Sequence, residues 1–255
     1  MGLESRNQWG GIARTLGFIV GSCLALCAHG MTLITQGDTL FATGEVADDY
    51  RQFADALDNK SLQQVVFVNS PGGDLWTGMR IGRLIVDKEL RTVTAGSCVS
   101  ACAIMFMGGR TRTFSDAFRP TLTFVGIHGP HNKFTREVNR EQAGQIYAFF
   151  QRQMGEWFNA SFINQALYDM DDAGALTKVF DANRPPKLFA YHCKSEQTLR
   201  KDCVDYKNDD AYSLGLSLSE ILCVRHNMSP RNMNAEQDTQ AQSSTGAAHH
   251  PQRTH

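Results

Sequence analysis

A serine hydroxyl is a poor nucleophile until a neighbouring group removes its proton. Acyl transfer at a serine therefore requires a base beside it and donors to hold the charge that attack creates. In "GSCVSACA", residues 96–103, Ser100 stands between an apolar run ending at Gly96 and another beginning near Ala101. A strand followed by a helix would put helix-start amides beside the hydroxyl. In "FVGIHGP", His128 closes an apolar run, the carboxyl end of a predicted strand, where open α/β sheets build their sites. In "VNSPGG", residues 68–73, Gly72 and Gly73 let the backbone approach a ligand, since no side chain intervenes and unusual dihedrals are open to them. Amides in that turn would face a carbonyl oxygen becoming an oxyanion, and losing one such donor costs roughly 3 to 4 kcal/mol. The chemistry these residue types point to is acyl transfer at Ser100 with His128 as base. Plainer uses compete: a helix cap for Ser100, a structural role for His128, and an ordinary strand-to-helix connection for the glycines. His131 is a rival base placed in the following loop, and Cys98 a rival nucleophile exposed to oxidation outside the cytoplasm.

These residues need elements to hold them. "MTLITQGDTLFATGEV" predicts two short strands around Gly37-Asp38, and a helix with Tyr50, Phe53 and Leu57 on one face follows. "QQVVFVN" carries four consecutive apolar residues, as in a strand covered on both sides. Asp74 can cap the next helix, whose stripe is Leu75, Met79, Ile81, Leu84 and Ile85. The pattern repeats with "LRTVTA", "SACAIMFM" stopped by Gly108-Gly109, and "LTFVGIH". Strands alternating with helices predict βαβ units and an α/β fold. From Thr135 to Phe158 the positions Val138, Ile146, Phe149, Phe150, Met154 and Trp157 predict one long amphipathic helix, and "SFINQALYDM" another. Residues 180–210 break this rhythm and read as an inserted surface segment, and "AYSLGLSLSEIL" returns to packed structure. No internal repeat is seen.

With 255 residues and 42% hydrophobic content the chain suffices for one main core. A net charge of -1 offers no electrostatic footprint for nucleic acid or an anionic membrane surface. Arg6 and Arg14, the apolar "TLGFIVGSCLALCA" and the small residues of "AHG" at 28–30 predict an export signal over residues 1–30, cut after Gly30. Left uncut, it would anchor the chain to a membrane, and "VGSC" at 20–23 is a loose lipoprotein-type match. Export leads to the bacterial periplasm or beyond. Cys23 and Cys27 would leave with the signal, and Cys98, Cys102, Cys193, Cys203 and Cys223 would meet an oxidising compartment. Cys193 with Cys203 is the preferred pair, and Cys98 with Cys102, bracketing Ser100, could strain or gate the nucleophile. The domain is expected over 31–226, with a disordered tail from Asn227 whose His249, His250 and His255 are solvated.

"VNSPGG", "SCVSACA" and "FVGIHGP" in this order resemble the Clp-type serine proteases and the related signal peptide peptidases of the Clp/crotonase fold, over roughly residues 31–180 and again at "AYSLGLS". The resemblance implies a spiral of ββα units with a mostly parallel sheet flanked by helices. It implies Ser100 as nucleophile, His128 as base, Gly73 and Ala101 as oxyanion donors, and Gly72 and Asp74 beside the substrate. It also implies an Asp after the histidine helix to orient the imidazole. Asp169 is favoured for this over Asp171 and Asp172. Peptide substrates, no metal or cofactor, and assembly into rings or stacked trimers through the sheet edge and the long helix are further implications. Ala-Cys-Ala after the serine, where the family often has Met-Gly-Ala, departs from the pattern. The expected function is an exported serine peptidase. A catalytically silent peptide-binding module is the alternative, and a crotonase-type acyl-thioester enzyme a third reading that export disfavours.

Overall fold

The computed structural model describes residues 30–218 except 133, 138 and 196. The expected signal, Cys223, the tail with its histidines, and Val138 lie outside the described residues. β1 (Thr32–Gln36) and β2 (Thr39–Val46) form an antiparallel pair about Gly37-Asp38, as their alternation predicts. The Asp49 carboxylate accepts from the amides of Met31 and Ala47, and α1 (Tyr50–Leu57) follows with Phe53 and Leu57 buried. Next come β3 (Gln64–Gly73), α2 (Leu75–Asp87), β4 (Arg91–Val99), α3 (Ala101–Met107), β5 (Arg112–Phe114) and β6 (Phe124–Ile127). The Asp74 side chain caps α2 by accepting from the Thr77 amide at 2.7 Å. Then α4 (Arg140–Met154) and α5 (Ala160–Tyr168) lead to β7 (Leu176–Val179), β8 (Tyr191–Cys193) and β9 (Val204–Asp205).

The strands form one sheet in the order β1-β2-β3-β4-β6-β7-β8-β9, with β5 also on β4. Pairings among β2, β3, β4, β5 and β6 are parallel, and those of β1 with β2 and from β6 through β9 are antiparallel. The sheet is therefore mixed rather than mostly parallel. Helical crossovers accompany parallel pairing in its middle, a tight turn adds β1 at one end, and at the other α4 and α5 lead to an antiparallel β7 on which β8 and β9 follow. Along β3, Val65 and Phe67 pack into the main core under the helices, while Val66 and Val68 join a smaller cluster with Phe41, Val93 and Ala95. Period-two alternation puts these on opposite faces, which is why the run is apolar throughout.

Two expectations need correction. The helix predicted from Thr135 begins at Arg140, because the Asn139 side chain caps it by accepting from the Gln142 amide, and it ends at Met154 before a 3-10 turn that leaves Trp157 51% exposed. Upstream, the Asn132 side chain accepts from the amides of Phe134 and Thr135, and Arg136 has φ 60, so that stretch is a closed loop. Residues 180–210 do not stand off from the sheet either. They supply β8 and β9 and bury Phe180, Ala182, Ala190 and His192.

The stretch after β9 is held by a buried cation. Arg112, 1% exposed, donates to the carbonyls of Leu216 (2.7 Å), Gly215 (3.1 Å), Gly109 (3.0 Å) and Gln153 (3.4 Å). Burial lowers its pKa to about 10, so it remains charged at neutral pH.

Candidate active site

The stretch 68–73 is not a turn after a strand, as the sequence suggested, but a bulged continuation of it. β3 pairs with β2 up to Gly73, with a register shift between Thr43 and Glu45, and shifts against β4 between Val68 and Ser70. Asn69, at φ 47, fills this irregularity: its Oδ1 accepts from the Ser97 amide and packs where Gly96 has no side chain. Bulges re-aim the residues that follow them. Ser70, buried and opposite Cys98, donates its hydroxyl to the Gly44 carbonyl (2.7 Å) and accepts from the Gly72 amide (3.3 Å). The Asp74 amide donates to the Val46 carbonyl at 2.8 Å.

Glycine is required at both positions of the pair. A Cβ on Gly72, φ 86, would sit 2.4 Å from the Val99 carbonyl, 2.7 Å from Ser100 Cβ and 2.9 Å from the Ala101 amide nitrogen. One on Gly73, φ 144, would sit 2.1 Å from the Val46 carbonyl. The absent side chain is what brings β3 against the β4–α3 junction.

At that junction Ser100 has φ 59 and ψ -122, a conformation that a residue with a side chain rarely adopts. It occupies the N-cap position of α3, yet its side chain makes no capping hydrogen bond. Its amide donates to the Gly126 carbonyl at 2.9 Å, continuing the register that pairs Val99 with Gly126. The Cys98–Cys102 disulfide spans it.

β6 ends at Ile127, and His128 is the next residue. Its Nδ1 lies 2.7 Å from the Gly129 carbonyl. A carbonyl can only accept, so Nδ1 carries the hydrogen and the neutral ring's Nε2 keeps its lone pair. Burial lowers the pKa of His128 below the ordinary 6.5; the Gly129 bond raises it in part, and neighbouring His131 lowers it further. The two imidazoles lie with centroids 5.2 Å apart. His131 Nδ1 is buried without a hydrogen-bond partner among the described residues.

Ser100, His128, His131, Gly72, Gly73 and Asp74 line one cavity of about 690 Å³. Its apolar wall includes Trp76, Ile104, Ile146 and Phe150. No hydrogen bond joins Ser100 Oγ to His128, which share the cavity without touching through polar atoms. Ala101 is buried behind Ser100, and the cavity lining takes nothing from 180–210.

Asp169 is not among the residues that line this cavity. It is the C-cap of α5; its carboxylate bonds Lys194 Nζ (2.9 Å) and Gln165 Nε2 (3.3 Å), and its carbonyl accepts from His192 Nε2 (2.8 Å). Burial raises its pKa, but the bonds from Lys194 and Gln165 outweigh this and hold it below the usual carboxylate value. Among the described residues no carboxylate bonds His128. The Asp171 amide donates to the Lys194 carbonyl, and the Asp172 side chain accepts from the Gly174 amide. Among the described residues no group of three or more His, Cys, Asp or Glu side chains is placed to hold a metal ion.

Sequence reasoning missed Asn69, Ser70, the Gly129 carbonyl and the lining role of Glu45, Gln142 and Phe150. Asn and Ser within an apolar strand were the one available signal, since polar residues there ask for a partner.

No family model and no curated protein matches the chain. Among solved structures, a mutant of the 1510-N membrane-bound stomatin-specific protease has 13% identity and a TM-score of 0.40, over 53% of this chain and 72% of its own. A second mutant of that protease, in complex with a substrate peptide, has 14% identity and a TM-score of 0.40, over 53% and 68%. ClpP1 from Listeria monocytogenes has 15% identity and a TM-score of 0.38, over 51% and 78%. Likenesses of that size assign neither family nor activity. Two disulfides fit an oxidising compartment, and among the described residues no helix is long and apolar enough to cross a membrane.

Proposed function

We propose that the chain is a serine hydrolase acting on peptides by acyl transfer, in a Clp/crotonase-like scaffold outside the cytoplasm. The observation that carries this reading is Ser100: a left-handed residue at a strand-to-helix junction, its hydroxyl unused for capping, on the wall of a cavity that also holds His128. Such backbone strain costs about 1 to 3 kcal/mol and concentrates at functional sites. A strained serine between strand and helix is also how hydrolases expose a nucleophile.

In this mechanism Ser100 Oγ attacks the acyl carbon while His128 Nε2 takes its proton. The amides of Gly73 and Ala101 hold the oxyanion. Collapse expels the amine, which leaves with the proton from His128, and water then releases the acyl group by the same route. The orienting task expected of Asp169 falls to the Gly129 carbonyl, which fixes the tautomer. The missing Ser100–His128 bond forms as substrate closes the site, since such bonds are often long in the free enzyme.

A fluorophosphonate probe applied to folded protein tests this: Ser100 should be labelled, and both Ser100→Ala and His128→Ala should abolish labelling. Absence of labelling in a folded, uninhibited sample would count decisively against it. A silent peptide-binding module is the second reading, favoured by the lack of a carboxylate on His128 among the described residues. In that case peptides bind with or without the Ser100 hydroxyl and no label appears.

A further inference from the structure

Between the end of β4 and the first turn of α3 the chain reverses within three residues, with Ser100 at the apex. Its conformation disfavours an L-residue by about 1 to 3 kcal/mol. Among the described residues the apex has two main-chain bonds of its own, its amide to the Gly126 carbonyl and its carbonyl from the Ile104 amide at 3.3 Å. The covalent span across it is the Cys98–Cys102 disulfide, with Cα atoms 5.2 Å apart and both cysteines 0% exposed.

Each sulfur is anchored to a different half of the site. Cys98 is the register partner of Ser70, whose hydroxyl accepts from the Gly72 amide. Cys102 lies in the turn that carries Ala101, whose amide nitrogen faces the bare side of Gly72. Closing so short a loop is worth about 2 kcal/mol, which matches the strain at the apex. By restricting the unfolded chain the bond offsets a cost of that size, so the folded chain can carry the strained elbow.

We propose that Cys98 and Cys102 are positioning residues for Ser100, and that the chain becomes competent for acyl transfer only after this pair is oxidised. The rate consequence rests on the hydrolase reading above. Oxidation removes two protons and two electrons from the thiols by exchange with a disulfide oxidant, which leaves as two thiols. Because neither sulfur reaches solvent in the folded chain, the exchange occurs during folding and dissolved thiols do not reverse it. The bond commits the site once.

The test compares three full-length proteins: wild type, Cys98→Ala with Cys102→Ala, and Cys193→Ala with Cys203→Ala. Fluorophosphonate labelling and backbone amide exchange over residues 97–104 are measured, with circular dichroism as the folding control. The first double variant should stay folded, label at least about tenfold more slowly, and exchange faster at Ala101 to Ile104. The second should label within about threefold of wild type, its exchange changes lying outside 97–104. If the first variant labels within about twofold of wild type and its exchange is unchanged, the proposal is overturned. Should that variant fail to fold, wild type refolded with and without oxidised glutathione replaces it, and equal labelling of dithiol and disulfide forms overturns the proposal. If wild type is never labelled, the hydrolase reading fails by itself, and exchange at Ala101 to Ile104 still decides the positioning role.

Discussion

Two regions of the molecule each hold a half-hidden or hidden imidazole and a disulfide, and they use them in opposite ways. In the antiparallel extension β7 to β9, His192 donates from Nε2 to the Asp169 carbonyl and accepts at Nδ1 from the Thr177 hydroxyl, both at 2.8 Å. Every polar atom of the ring is used. Where the parallel strands β4 and β6 end, His128 donates from Nδ1 and its Nε2 meets no hydrogen-bond partner among the described residues, and Ser100 likewise makes no side-chain cap. Polar groups near a core are normally satisfied, so under the proposed function these unspent groups are the ones a substrate would engage.

The disulfides divide similarly. Cys98–Cys102 and Cys193–Cys203, at sequence separations of 4 and 10, contribute about 2 and about 3 kcal/mol through loop closure. The difference lies in what each holds: a strained elbow braced by two fully buried cysteines in one case, and in the other a half-buried hairpin with few core residues.

The largest effect expected on this contrast comes from Gly72→Ala. Its methyl must displace three atoms of the β4–α3 junction, so the site half should lose labelling entirely and the protein about 3 kcal/mol or more, read by urea unfolding. Near-normal stability would erase the distinction between a rigid site and a pliant extension. Next, Cys193→Ala with Cys203→Ala should cost about 2 to 3 kcal/mol and loosen amides around 190–206 most, as seen by hydrogen exchange. The smallest effect is titration. With its pKa held below 6.5 mainly by burial, His128 should keep labelling flat at pH 7 and lose it with a half-point below 6.5, about tenfold per unit beyond. His192, also lowered by burial, reports in stability. The unfolded chain takes the proton first, so stability is complete above about 6.5 and declines as pH falls beneath it. A labelling half-point above 6.5, or stability that grows with acid, would break the comparison.

Much of the scaffold was legible because its signals are local: the turn at Gly37-Asp38, the Asp74 cap, the unbroken apolar run of β3 and the pair Cys193 with Cys203, whereas Cys98 with Cys102 was left open. Ser100 and His128 could be drawn to one site because both end parallel strands of the same sheet. The bulges at Asn69 and Gly96 were not legible, since a register slip depends on the partner strand. The partners of Asp169 were not legible for a like reason. Its position after α5 suits an orienting role, and the bond its carboxylate makes to Lys194, a quarter of a hundred residues on, depends on where β8 ends. The late start of α4 turned on one capping side chain, Asn139, within a sequence whose apolar spacing continued past it.

Arg112 grips the stretch at 215 and 216 through main-chain oxygens, which every amino acid possesses and no acid can protonate in this range. That grip asks for a contour and is indifferent to side-chain identity at its far end. It should outlast vinegar-like acidity that dissolves ordinary ion pairs, leaving the chain pinned there after its surface charges have let go.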